Sequence, residues 1–211
     1  MIRVLLVDDH AVVRMGFRLL LQSRPDMSVV GEADSGETAC QLYIQLAPDV
    51  VVMDLAMPGM GGLEALRRIR ARDPAARVLT LSAHDDTIHA RRALQECAMG
   101  FLSKRSAPEA LLEAVSAVAA GQRYIDVGLA QKLALAEFSG GPKSPVERLT
   151  EREFEVFMRL ARGATVQRIA QDLNLSASTV GTHLYNVKQK LEVVNQSELT
   201  LIAIRHGLIE A

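Results

Sequence analysis

The sequence contains no tryptophan, and aromatic residues make up 4% of it. That argues against a protein that stacks sugars or cages cations between rings. Its two cysteines, Cys40 and Cys97, lie far apart and form no CxxC pair. They read as small thiols in a reducing cytoplasm, not as a disulfide framework. No apolar run approaches the roughly 18 residues that a membrane helix needs. The opening segment, Met1–Asp9, is too short and too acidic for a secretory signal. A cytoplasmic protein without membrane association is therefore expected. Nor is there a surplus of either charge, with 24 Lys and Arg against 25 Asp and Glu, and eight of each sign from Glu147 onward. Any binding to nucleic acid must come from a local surface and not from a global field.

What is present fits a globular chain. Hydrophobic residues make up 49% and charged residues 23%, the usual balance for a protein with a packed core. At ~150 residues per domain, 211 residues make one large domain or two small ones. Up to about Gly121, short apolar runs alternate with amphipathic stretches. The runs are Val4–Val7, Val29–Val30, Val50–Met53, Val78–Leu81 and Phe101–Leu102. Strands apolar on both faces, separated by helical periods, predict a five-stranded, doubly wound parallel sheet of α/β class. The breaker-rich stretch Ser139–Pro145 reads as part of a linker over 122–146, preceded by a helical pattern at Leu129–Phe138. From Glu147 onward there are no strand signals. Four helical stretches remain, and the second and third are joined by Asn174-Leu175-Ser176, the spacing of a helix-turn-helix. This predicts domains at 1–121 and 147–211, the second all-α.

Polar residues sit where the predicted strands end: Asp8 and Asp9, then Asp54, Ser82 and Lys104. Open parallel sheets bind ligands at the carboxyl ends of their strands, and in the order 2-1-3-4-5 strands 1 and 3 are neighbours there. That brings Asp8, Asp9 and Asp54 together. Clustered carboxylates suit a hard divalent cation such as Mg²⁺. An Asp can also act as a nucleophile toward phosphorus, with Lys104 and the cation neutralising charge and the Ser82 hydroxyl donating to the phosphoryl oxygens. A lone Asp at a strand end is usually a loop cap; five such groups at successive strand ends are not.

These residues, with Leu6-Val7-Asp8-Asp9-His10, Asp54-Leu55-Ala56-Met57-Pro58-Gly59 and Gly61-Gly62, resemble the receiver domain of two-component response regulators. The resemblance implies that Asp54 is the phosphoacceptor. It implies Mg²⁺ held by Asp9, Asp54 and the Ala56 carbonyl, with Asp8 acting through a water. It also implies Ser82 and Phe101 as the switch pair. Arg105 departs from the family, which often has Pro after the lysine.

In the predicted third helix of the second domain, Val180, Leu184, Val187 and Leu191 fall within about 60° of one another at 100° per residue and face the core. Ser178, Thr182, Tyr185 and Gln189 lie opposite, flanked by Thr179, Asn186 and Lys190 on one side and Lys188 on the other. Such a face suits the major groove, with the lysines placed for phosphates. The segments Leu149-Thr150-Glu151-Arg152-Glu153, Ile169-Ala170, Leu175-Ser176, Thr179-Val180 and Lys190-Leu191 resemble the LuxR-type helix-turn-helix. Ser178 and Gly181 stand where relatives often carry Lys or Arg. Thr150 and Glu153 form a capping box, so Glu153 is a structural residue.

Together the two halves resemble the NarL/FixJ family of response regulators. The resemblance implies a transcription regulator and not an enzyme: a sensor histidine kinase donates the phosphoryl group, and homodimers bind promoter DNA, with RNA polymerase as a further partner. Dimer faces expected from it are the first and last receiver helices, or the face around Arg91, Arg92 and Phe101. Two other readings fit parts of the sequence. A Mg²⁺-dependent phosphatase would carry a second Asp two residues after its nucleophile, where this chain has Ala56. A constitutive DNA-binding regulator would use the receiver only as a dimerisation scaffold.

Overall fold

A computed structural model describes the chain except for residues 58, 83–86, 139–144, 174, 207 and 210–211. The predicted turn residue Asn174 and most of the breaker-rich stretch lie outside the described residues. The chain forms two compact units, Met1–Glu137 and Phe138–Ala211.

In the first unit, strands and helices alternate: β1 (Ile2–Val7), α1 (Ala11–Gln22), β2 (Met27–Ala33), α2 (Gly36–Leu46), β3 (Val50–Asp54), α3 (Gly62–Arg72), β4 (Val78–Ser82), α4 (Thr87–Gln95), β5 (Gly100–Ser103), α5 (Pro108–Ala119), β6 (Tyr124–Ile125) and α6 (Val127–Phe138). The sheet is wholly parallel, in the order β2-β1-β3-β4-β5-β6. Alternate residues of the same strands feed two cores. Leu5, Val7, Val51 and Met53 pack with Ala39 of α2, Leu66 and Ile69 of α3 and Ala90 of α4. Val4, Leu6, Val50 and Val52 pack on the other face with Leu21 of α1 and Leu111 and Val115 of α5. The apolar runs are continuous because both faces of the strands are covered. In register, Leu6 lies beside Val52 and Val7 beside Met53, so the chain leaves β1 and β3 side by side.

Six strands are found where five were expected. The sixth lies inside the segment read as linker. Tyr124 and Ile125 pair with Gly100 and Phe101, and Tyr124 N donates to Met99 O at 3.1 Å. The pairing needs a glycine on β5: a Cβ on Gly100 would lie 2.7 Å from Tyr124 O. After it, α6 contributes Leu129 to the same core as Phe101.

The second unit has a 3₁₀ turn at Pro145–Arg148 and four helices, α7 (Glu151–Ala161), α8 (Val166–Asp172), α9 (Ala177–Leu191) and α10 (Gln196–Arg205). Phe157, Ile169, Val180, Val187 and Leu199 are fully buried. Short helices leave a large share of their N–H groups unpaired, and here each N-terminus has a side-chain acceptor. Thr150, Thr165, Ser176 and Asn195 accept from the third residue of their helices. The Thr150–Glu153 capping box closes as expected, with Thr150 N donating to Glu153 Oε2 at 2.7 Å. Lys190 Nζ, from α9, reaches the same oxygen at 2.6 Å. Burial alone would raise the Glu153 carboxyl pKa; Lys190 and the Thr150 N–H reverse this and hold it below the usual carboxylate value.

Thr150→Ala is expected to lower the stability of the second unit by about 1 kcal/mol in denaturant unfolding. Because the folded value is depressed, the Glu153 contribution is present above its unfolded pKa and is lost as pH falls through the folded one. Lys190→Met should therefore destabilise at neutral pH and have little effect once Glu153 is protonated.

Candidate functional site

The acidic cluster forms where β1 and β3 end together. Asp8 follows β1 and is 2% exposed; Asp54 is the last residue of β3 and is 1% exposed. Asp9, less buried, lies beside them. The Asp8, Asp9, His10 and Asp54 side chains each offer a ligand atom, all within 4.8 Å of one another. Lys104, just beyond β5, points its ammonium into the cluster. Its Nζ lies 2.7 Å from Asp54 Oδ2 and 2.6 Å from Asp8 Oδ2. The first is a hydrogen bond, and the second is an ion pair. Lys104 N is held on Ser82 O at 2.8 Å, which ties the lysine to the end of β4.

Burial, the largest influence, pushes the Asp54 carboxyl above its ordinary pKa, against the pull of Lys104 and the Ala56 N–H. Burial also opposes the charge on Lys104, but Asp54 and Asp8 outweigh it and hold the ammonium above its usual range. One cation therefore faces three carboxyl groups. Asp9 Oδ1 is buried without a hydrogen-bond partner, and Asp8 Oδ2 has the Lys104 ammonium as its charged neighbour. Clustered carboxylate oxygens fit a hard divalent cation, which takes oxygen ligands.

Asp8, Asp9, Asp54 and Lys104 are thus brought together. Ser82 ends β4 at the same edge, its strand paired through Leu81 to Asp54. Ala56 N donates to Asp54 Oδ1 at 3.1 Å. Phe101 is fully buried, its ring inside the core. It contributes nothing to a surface with Arg91 and Arg92, which lie on α4.

Three residues went unassigned by sequence reasoning. His10 Nδ1 lies 2.9 Å from Asp9 Oδ1. Arg14, from α1, donates to Asp8 O at 2.6 Å and pairs with Glu32 on β2. Glu37, from α2, accepts from Met60 N at 2.9 Å and holds the loop that follows Asp54. His10 adjoins Asp8 and Asp9 in sequence, and that adjacency is its local signal. The Arg14 and Glu37 contacts need the tertiary fold, and no local pattern announces them. The loop end is fixed sterically too, since a Cβ on Gly62 would lie 1.9 Å from Asp54 O.

In the second unit, Ser178, Thr179, Thr182, Tyr185 and Gln189 are exposed on α9 and Asn186 is half-buried. The lysines are placed differently from expectation. Lys190 is bound to Glu153, and Lys188 Nζ donates to Val194 O at 2.6 Å. A Cβ on Gly181 would meet nothing within 4 Å, so packing does not require glycine there.

A buried acidic pocket on a doubly wound sheet, joined to a capped helix-turn-helix, defines a two-part signalling protein. Residues 4–116 match the response regulator receiver domain family, and residues 147–203 match the luxR family of bacterial regulatory proteins. The chain is 41% identical over 212 aligned residues to response regulator UvrY of Escherichia coli strain K12, covering all of this chain and 97% of that one. It is 40% identical to response regulator GacA of Pseudomonas aeruginosa, covering all of this chain and 99% of the other. Among solved structures, RcsB of Salmonella enterica serovar Typhimurium, bound to a promoter in the presence of phosphomimetic BeF3⁻, is 26% identical. It superposes with a TM-score of 0.72 over 95% of this chain and 97% of that one. The chain belongs to the NarL/FixJ family of two-component response regulators.

Removing the lysine should expose the electrostatics of the pocket. In Lys104→Met, the Asp54 carboxyl titration, followed by its carboxyl-carbon NMR shift, is expected to move to higher pH, because the nearest positive charge is gone. A titration that stays in place would mean that the ion pair does not form.

Proposed function

We propose that Asp54 accepts a phosphoryl group and that this modification controls dimerisation and promoter binding. The observation that carries the reading is the pocket itself: a buried Asp54 whose carboxylate meets Lys104, with the carboxylates of Asp8 and Asp9 gathered beside it. Asp9, Asp54 and the Ala56 carbonyl would hold Mg²⁺, with Asp8 acting through a water. When bound, that ion neutralises charge on the transferring phosphoryl group. An Asp54 oxygen attacks the phosphorus of a sensor kinase phosphohistidine or of a small acyl phosphate. A P–O bond to Asp54 forms as the bond to the donor breaks, and the donor leaves with its electron pair. Lys104 stays beside the new charge, and Ser82 supplies a hydroxyl from the end of β4. The chain acts as a regulator in the cytoplasm and turns over no other substrate.

Phosphorylation adds charge and acceptor oxygens that bias a two-state element, here the Ser82–Phe101 pair. Of the two dimer faces, the first and last receiver helices are favoured, because Val12, Met15 and Leu19 form an exposed apolar stripe on α1. Ser178, Thr179, Thr182, Tyr185, Asn186 and Gln189 read the major groove. Lys188 and Lys190 reach phosphates only by leaving their present partners. The promoter-bound RcsB structure supports DNA binding by this architecture, and RNA polymerase is the further partner that a bound regulator would meet.

Incubation with a small acyl phosphate should add one phosphoryl group to the intact mass, only with Mg²⁺ and not in Asp54→Ala. If Asp54→Asn leaves dimerisation and promoter activity unchanged, the receiver is a constitutive scaffold. The double variant Thr182→Ala, Gln189→Ala should weaken operator binding and blur its base preference, at about 1–3 kcal/mol for each lost base contact. Unchanged binding would move the reading face elsewhere.

A further inference from the structure

The imidazole of His10 lies at the mouth of the acidic pocket, yet the oxygen nearest to it is not its hydrogen-bond acceptor. Its Nδ1 is 2.9 Å from Asp9 Oδ1, and Asp9 Oδ1 is a buried oxygen with no hydrogen-bond partner. The ring nitrogen and that oxygen belong to the group of four ligand atoms, from Asp8, Asp9, His10 and Asp54, that lie within 4.8 Å of one another. Two ligands at about 2.0–2.1 Å from one octahedral ion are separated by roughly 2.9–3.0 Å along an edge, the spacing seen here. The contacts of the ring all lie toward the pocket. It makes no capping bond to α1, its side chain is 64% exposed, and Asp8 and Asp9 are its ion-pair partners among the described residues.

We propose that His10 is an inner ligand for borderline divalent cations of the Co²⁺ and Ni²⁺ class, so that this pocket holds them with a nitrogen donor that Mg²⁺ does not use. The chemistry of the donor set carries the distinction. Carboxylate and carbonyl oxygens suit Mg²⁺, whereas imidazole suits the later first-row ions and adds affinity along that series. The inference rests on the reading of Asp8, Asp9 and Asp54 as a cation site.

The test uses the full chain, free of any added histidine tag, as wild type and His10→Asn. Asparagine caps a helix well and replaces the ring nitrogen by an amide. Co²⁺ binding is followed by its visible absorption, Mg²⁺ binding by calorimetry, and site identity by displacement of Co²⁺ with Mg²⁺. The expected result is that wild type binds both ions competitively. In His10→Asn, Mg²⁺ affinity stays within about twofold while Co²⁺ affinity falls about tenfold or more, the scale on which perturbing a metal's ligand shell is felt. The Co²⁺ band shifts to that of an oxygen-ligated ion, and His10→Ala shows the same losses with an unchanged thermal midpoint. Equal Co²⁺ affinity and spectrum in wild type and variants would overturn the role of His10 and leave the cation site standing. Co²⁺ that Mg²⁺ cannot displace would also overturn it, by placing the ion elsewhere. A wild type that binds neither ion would overturn the cation site itself.

Discussion

One ammonium set among three carboxyl groups at the edge of a covered sheet is the constraint on which the first unit turns. Water cannot screen that cluster well, so its geometry must be imposed by the surrounding backbone. The fold does this from several directions. Arg14 holds the carbonyl of Asp8, Glu37 holds the amide of Met60, and Gly62 lets α3 begin directly beneath Asp54. Lys104 is fixed in turn through its amide on Ser82, so strands β1, β3, β4 and β5 all meet at one group of charges. A site that stores like-charge repulsion responds strongly to a change in its charge, which is what a switch requires.

The second unit solves a different problem. Its helices are short and cannot rely on length for stability, so packing and end-capping dominate. Glu153 serves two purposes there, closing the cap of α7 and pinning α9 through Lys190. That pin agrees with the packing of α9, whose Val180, Val187 and Leu191 are buried. Val180 and Val187 turn inward, and the polar row of Ser178, Thr182, Tyr185 and Gln189 turns outward.

Much of this was legible from the chain alone. Apolar runs such as Val50–Met53 signal a strand covered on both faces, and polar residues at successive strand ends signal a site, because both are local patterns. The 3.6-residue period of α9 separates its inner from its outer face in the same way. What escaped was set by tertiary contact. Tyr124–Ile125 is too short to show a period, and it is a strand only because β5 lies beside it. Lys188 and Lys190 look like free cations on a helical wheel; their partners, Val194 O and Glu153, lie beyond the end of α9 and on another helix. Phe101 looks available for a surface until the helices around it are in place.

The short sixth strand bears on how the sheet ends. An open parallel sheet must finish somewhere, and a long unpaired edge is a template for another chain. Here β5 is covered by two residues, followed at once by a helix whose Leu129 packs into the core. A chain stopped at Gly121, where the amphipathic repeats run out, would keep all the residues of the acidic pocket. It would leave the outer edge of β5 bare at Gly100 and Phe101, open to edge-to-edge aggregation. The segment that follows the amphipathic repeats therefore also shields the β5 edge of the sheet.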